Sequence, residues 1–337
     1  MDDMTYWLPL VWAAILAVAV TLYVILDGFD LGLGILFPFA PQEERRDVMM
    51  NTVAPFWDGN ETWLILGGGG LFVAFPKAYG VIMSGLYLPI IVMLLALVFR
   101  GVAFEFRWVS KPKHQFWDLA FAWGSIVASF AQGVVLGGLL QGITVKDGRF
   151  AGGTFDWLTP FALFCGVALV AAYALLGATW LIYKTDGDLE TFAREKAKAA
   201  LIIMLIATAA ISLWTPYTIP RIAERWFAWP NMLLLAPVPL LTAYAAWKCW
   251  RGLELEKQFQ PFASAIALFL LGLLGLVISN VPYLVPASLT VWDAAAAPSS
   301  QMFMLVGTLL MLPVILGYTV FVYWTFRGKV RHGEGYH

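Results

Sequence analysis

The stretch Pro55-Phe56-Trp57-Asp58-Gly59-Asn60-Glu61-Thr62-Trp63 runs directly into Leu64-Ile65-Leu66 and four glycines, Gly67 to Gly70. It sets two carboxyl groups and an amide at the entrance of an apolar segment long enough to cross a bilayer. A carboxylate near the bilayer centre costs about 2.5–3.5 kcal/mol on insertion scales, so an acid in such a place is a functional candidate by default. Of the 337 residues, 61% are hydrophobic and 13% charged, well below the roughly 25% charged share of soluble domains. The composition therefore indicates an all-α polytopic integral membrane protein. Sixteen Trp and twelve Tyr fit that class, because their amphipathic rings favour the membrane–water interface. A net charge of −1 without any basic run argues against a nucleic-acid partner.

Working outward, a span needs about 20 mostly apolar residues, and nine segments qualify: 6–26, 53–75, 79–99, 116–140, 160–183, 199–214, 230–247, 262–278 and 302–326. They form a single membrane domain over 1–337, with loops too short for a soluble domain. Pro237 and Pro239 predict kinks in the seventh span. The loop 184–198 reads as a short charged amphipathic element. The N-terminus carries Asp2 and Asp3 in place of basic residues and lacks a small-x-small site, so the first span reads as retained, not as a cleaved leader.

Charge tests the count. With nine spans the loops alternate, and sixteen of the 21 Lys and Arg fall on one side, among them Arg45, Arg46, Arg107, Lys111, Lys113, Lys257 and Lys329. The other side has five: Lys77, Lys146, Arg149, Arg221 and Arg225. By the positive-inside rule the N-terminus is outside and the C-terminus cytoplasmic. The second span is the weakest on hydropathy, because of Asp58 and Glu61, but omitting it spoils the charge balance. Glycines inside the spans, Gly67 to Gly70, Gly133 with Gly137, and Gly272 with Gly275, read first as close-packing sites.

That topology gathers the acids at the cytoplasmic side: Asp27 and Asp30 at the end of span one, Asp58 and Glu61 at the start of span two, and Arg100, Glu105 and Arg107 at the end of span three. Two readings compete. Either the carboxylates pair with Arg100 or cap helices, or they pass protons inward as carboxylate chains do in pumps. Both stand for Asp58 and Glu61, which reach deepest. Asp27, Asp30 and Arg100 read first as structure, and Glu105 and Arg107 as interfacial anchors. Trp63 reads as packing, with an indole N–H that could join a relay. Asp293 reads as a helix cap or anchor on the opposite face. Cys165 and Cys249 lie within apolar segments and offer no disulfide framework. His114, His332 and His337 all lie outside the spans, which makes the chain by itself a poor haem or metal binder.

The strings DGFDLGLG (27–34), MMNTVAPFWDGNETWLILGGGGLFVAFP (49–76), FRGVAFEFR (99–107) and SLTVWDA (288–294) resemble subunit II of the cytochrome bd ubiquinol oxidases, in particular the cyanide-insensitive type. The resemblance spans essentially the whole chain. It implies two four-helix bundles plus one peripheral helix, and a membrane heterodimer with subunit I in the bacterial inner membrane. That complex oxidises quinol and reduces O2 to water without pumping. Two haem b groups and haem d belong to subunit I. The resemblance also implies a proton path through Asp58 with Trp63 beside it. Some family members carry an amide in place of Glu61, which leaves Glu61 an assisting part. Asp30 and Arg100 match positions near a ubiquinone bound in some members, where lipid is the other candidate occupant. Membrane lipids and small accessory subunits are further expected partners. A proton-coupled secondary transporter and a purely structural scaffold are the rival readings. Transporters, however, place their sites near the midplane between repeats.

Overall fold

Asp27 and Asp30, expected just past the end of the first span, lie inside a helix. The computed structural model describes residues 3–40, 42–110 and 114–331, and its first helix, α1 (Asp3–Leu36), runs unbroken through both acids. At 1.5 Å per residue α1 is about 51 Å long, well beyond the roughly 30 Å hydrocarbon core. The helix continues past residue 26, the expected end of the span, because an acid interrupts an apolar helix only where it would meet lipid, and these acids meet protein. The glycines of DGFDLGLG allow it. A Cβ on Gly32 would sit 1.8 Å from the carbonyl oxygen of Tyr173, and one on Gly34 would sit 2.0 Å from the Ser125 hydroxyl.

After a short 3-10 turn (Phe37–Phe39) and α2 (Glu43–Asn51), turns lead into α3 (Trp57–Ala74). The expected third span, 79–99, is divided into α4 (Pro76–Gly85) and α5 (Tyr87–Val109). Leu86 leaves the helical region at φ −118°, ψ 20°, and Pro89 sits in the first turn of α5, where its missing N–H costs nothing. α6 (Gln115–Gln141) and α7 (Pro160–Lys184) flank an antiparallel hairpin, β1 (Val145–Lys146) with β2 (Arg149–Phe150).

The charged loop before the expected sixth span is helical too. It forms the first turns of α8 (Gly187–Thr218). The short amphipathic α9 (Pro220–Phe227) follows. The seventh segment breaks at Ala236, as its prolines predict, into α10 (Asn231–Leu235) and α11 (Pro237–Glu254). α12 (Gln260–Asn280), a second hairpin of β3 (Tyr283–Val285) and β4 (Leu289–Thr290), and α13 (Pro298–Thr325) complete the described chain. Asp293 caps the turn after β4 and not α13. It accepts from the Thr290 amide at 3.1 Å and hydroxyl at 2.6 Å, and these bonds hold its carboxyl below the usual carboxylate range.

Among the described residues, eight helical segments are long and apolar enough to cross a membrane: α1, α5, α6, α7, α8, α10 with α11, α12 and α13. α3 falls short on composition, yet it packs antiparallel along α1. Asn60 meets Leu26 and Asp30 at one end, and Gly70 meets Leu16 and Trp12 further along. α1 also packs on α6 and α7, and the pairs α5–α6, α6–α7, α7–α8 and α11–α12 are in close contact. The α6–α7 crossing passes at Gly133 and Gly137, where a Cβ would lie 2.4 Å and 2.6 Å from α7 backbone atoms. Gly68, Gly69 and Gly272 face open space instead, so the packing expectation holds for some of the glycines. Only Gln301 and Leu305 of α13 are fully buried, while Phe303, Leu310 and Val314 are exposed. Apolar surface on that scale suits lipid or a partner chain.

Candidate functional site

The α5–α6 contact positions Arg100. A Cβ on Gly124 of α6 would lie 2.8 Å from the Ala96 carbonyl and 3.1 Å from the Arg100 amide nitrogen. The glycine thus lets the two backbones close and drives the Arg100 side chain inward, where it is 1% exposed. Its Nη1 lies 2.7 Å from Asp27 Oδ1 and 3.8 Å from Glu61 Oε2, and its Nη2 lies 3.8 Å from Asp30 Oδ2. α1 turns Asp27 and Asp30 the same way because residues three apart share a helix face. Three carboxyl groups from two helices therefore face one guanidinium.

Neutral groups complete the cluster. Asn60 donates from Nδ2 to Asp30 Oδ2 at 2.8 Å and to the Leu26 carbonyl at 3.3 Å. Tyr323 of α13 donates its hydroxyl to Asn60 Oδ1 at 2.8 Å. Phe56 stacks on Tyr323 at 4.4 Å and Phe29 on Trp180 at 4.2 Å, closing the apolar wall. Asp27 Oδ2, Asp30 Oδ1 and Arg100 Nε are buried without a hydrogen-bond partner among the described residues. They are where internal water would bind, since such waters typically satisfy buried polar atoms.

Asp58 stands apart. It is exposed at the start of α3, one turn before the 27% exposed Glu61 side chain. The expected set is thus divided: Glu61, Asp27, Asp30 and Arg100 meet, while Asp58 faces outward beside them. Trp63 is 2% exposed and packs with Ala19 and Tyr23. Above Asp27, the Gln132 amide donates to the Tyr23 hydroxyl at 2.6 Å and accepts from Tyr173 at 2.8 Å.

A second ionic cluster corrects the reading of Arg107 as an interfacial anchor. Arg107 is fully buried, 2.6 Å from both Asp47 and Asp118. Asp118 also takes Arg46 at 2.9 Å, and His114 lies 3.5 Å from Glu43. The reason is α2, which folds back over the ends of α5 and α6 and covers a position that sequence places at a bilayer edge. Glu105 is exposed. Lys111, Lys113, His332 and His337 lie outside the described residues. His114 Nε2 also lies 3.9 Å from Asp118, on this polar cluster.

A family model for cytochrome bd terminal oxidase subunit II matches residues 8–326. The chain belongs to that family. Among relatives, the chain is 30% identical to the cytochrome bd-I ubiquinol oxidase subunit 2 of Escherichia coli, covering 96% of this chain and 95% of the relative. It is also 30% identical to the cytochrome bd ubiquinol oxidase subunit 2 of Bacillus subtilis, covering 96% and 97%. A chain in the structure of the bd oxidase from Geobacillus thermodenitrificans shares its fold, with a TM-score of 0.80 over 95% of this chain and 98% of the other, at 17% identity. Subunit II is therefore a multi-pass membrane component of a terminal quinol oxidase.

Sequence reasoning noticed the Asn60 amide without giving it a partner, and it missed Tyr323 and Asp118. Tyr323 lies 263 positions from Asn60, and no local pattern links the two. Asp118 carried the signal of an acid within an apolar helix start.

Proposed function

We propose that this subunit takes up protons from the cytoplasm for the O2 chemistry of a cytochrome bd quinol oxidase, and that it scaffolds a haem-bearing subunit I. The supporting observation is a graded row of carboxyl groups. Asp58 is exposed, Glu61 is partly exposed and within reach of Arg100, and Asp27 is buried against Arg100. Full ionisation of Asp27, Asp30 and Glu61 would leave two negative charges uncompensated by one guanidinium, and each uncompensated buried ion costs several kcal/mol. A proton shared among the three removes one of those two charges and gives the row something to relay. Asp58 is the entry, Glu61 the next acceptor and Asp27 the inner one. Trp63, packed on Ala19 and Tyr23, accompanies the row. The burial of Asp30 and Arg100 favours an ion pair over a quinone or lipid contact there.

In this reading α3 is the second of nine spans, the N-terminus is periplasmic and the C-terminus cytoplasmic. The helices form two four-helix bundles with α13 peripheral, in one membrane unit. Two haem b groups and haem d lie in subunit I, and charge separation follows from taking protons on one side and releasing quinol protons on the other. Replacing Asp58 with Asn tests the path. Oxygen consumption by the assembled complex should fall about a hundredfold, the lower end of what a positioned proton-transfer group contributes, with the b- and d-haem absorption unchanged. Unchanged oxygen consumption would favour the scaffold reading. Absence of any haem-bearing partner from the purified protein would favour a transporter.

A further inference from the structure

We infer that the cavity at the foot of α7 and α13 binds the phosphate of an anionic phospholipid headgroup. The cavity encloses about 300 Å³ between Asn51, Thr52 and Phe56 ahead of α3, Lys184 at the end of α7, and Phe326 and Lys329 beyond α13. At about 30 Å³ per water, that is room for some ten waters or one headgroup. α7 ends at Lys184 and α13 at Thr325, and the Val330 amide donates to the Lys184 carbonyl at 2.8 Å. Two apolar spanning helices thus stop at one level, which is where a span leaves the hydrocarbon and phosphates begin.

The polar lining suits an anion. Lys184 is 2% exposed, and its ammonium donates to the carbonyls of Phe326 and Gly328. It has no carboxylate within ion-pair distance among the described residues, so a buried cation is balanced only by dipoles and the faces of Phe56 and Trp180. Asn51 is 8% exposed, and its amide makes no side-chain hydrogen bond among the described residues. At the rim, Lys329 bonds to Asp186 and to the Thr185 carbonyl. Arg327 and Arg331 flank it, giving three cations in five residues. Glu190, 3.9 Å from Lys329, is already paired with Arg194. Basic clusters just beyond a span attract anionic leaflets. The apolar walls at Phe56 and Phe326 favour an amphiphile over a bare ion.

Native mass spectrometry of the complex, purified from membranes through this chain and delipidated, tests the assignment. The probes are dioleoyl phosphatidylglycerol, dioleoylglycerol and inorganic phosphate. Wild type should bind one phosphatidylglycerol about tenfold more tightly than Lys184→Met or Asn51→Leu, the loss expected for one charge-assisted hydrogen bond. Asn51→Leu leaves the Lys184 clamp on α13 intact, so it reads lipid binding apart from folding. Equal binding by wild type and Asn51→Leu overturns the proposal, as does equal affinity for dioleoylglycerol. Displacement of the lipid by inorganic phosphate assigns the cavity to a free anion, and tighter lipid binding after deletion of 332–337 assigns it to the chain's own tail. Either result overturns the lipid assignment. Oxygen consumption plays no part in the readout, so the result is independent of the proton path.

Discussion

Removing the Arg100 guanidinium would leave Asp27 and Asp30, both 0% exposed, without their counter-charge. Breaking a buried ion pair from one side costs about 3–5 kcal/mol, so Arg100→Leu should sharply reduce the yield of haem-containing complex recovered through this chain. Tyr323→Phe is milder. It removes one neutral donor from Asn60, worth about 1 kcal/mol, and should lower the melting temperature of the complex by a few degrees while leaving its absorption spectrum unchanged. Glu61→Gln separates relay from structure. A second acceptor in series with Asp58 predicts slower oxygen consumption with normal assembly, and an unaltered rate would confine the relay to Asp58. The carboxylates themselves were legible from composition, because an acid in an apolar segment is expensive wherever it lies. Arg100 was legible as a partner in one of two readings, whereas Tyr323 was not, since it comes from a helix remote in the chain and only packing brings it to Asn60.

At the scale of the element, glycines mark which helix faces touch. α1 and α7 cross at Gly32 and Gly177, where a Cβ on Gly177 would lie 2.3 Å from the Gly32 carbonyl carbon. Gly177→Val should therefore prevent assembly, detected as loss of the purified complex. Gly68→Ala meets nothing within 4 Å and removes a helix-destabilising residue worth up to about 1 kcal/mol, so the purified chain should melt no lower than wild type. If the same substitution releases a co-purifying partner, the open face of α3 is a subunit contact. The helix-long apolar runs at 116–140, 160–183 and 262–278 lie within α6, α7 and α12 to within two residues at each end. Where the structure departs from the pattern, the cause is local backbone chemistry or tertiary cover. Leu86 and Pro89 break one run, and the charged start of α8 continues as helix because Arg194 pairs with Glu190 one turn away.

For the whole molecule, orientation has a direct test. Cysteines placed at Glu44 and Lys77, both exposed, flank α3, while the native Cys165 and Cys249 are buried. If α3 spans, a membrane-impermeant maleimide added to intact cells should label Lys77→Cys and spare Glu44→Cys. Labelling of both from the same side would leave eight spans. The sequence by itself determined the membrane class, most of the helices and the subunit family, because each rests on composition or on contiguous strings. Only the tertiary structure decided which acids share Arg100, that Arg107 is buried, that Asp58 faces outward and that Lys184 lines a cavity. Those outcomes depend on the angle and depth at which distant helices cross, and a residue's environment is set there by neighbours that no local stretch of sequence specifies.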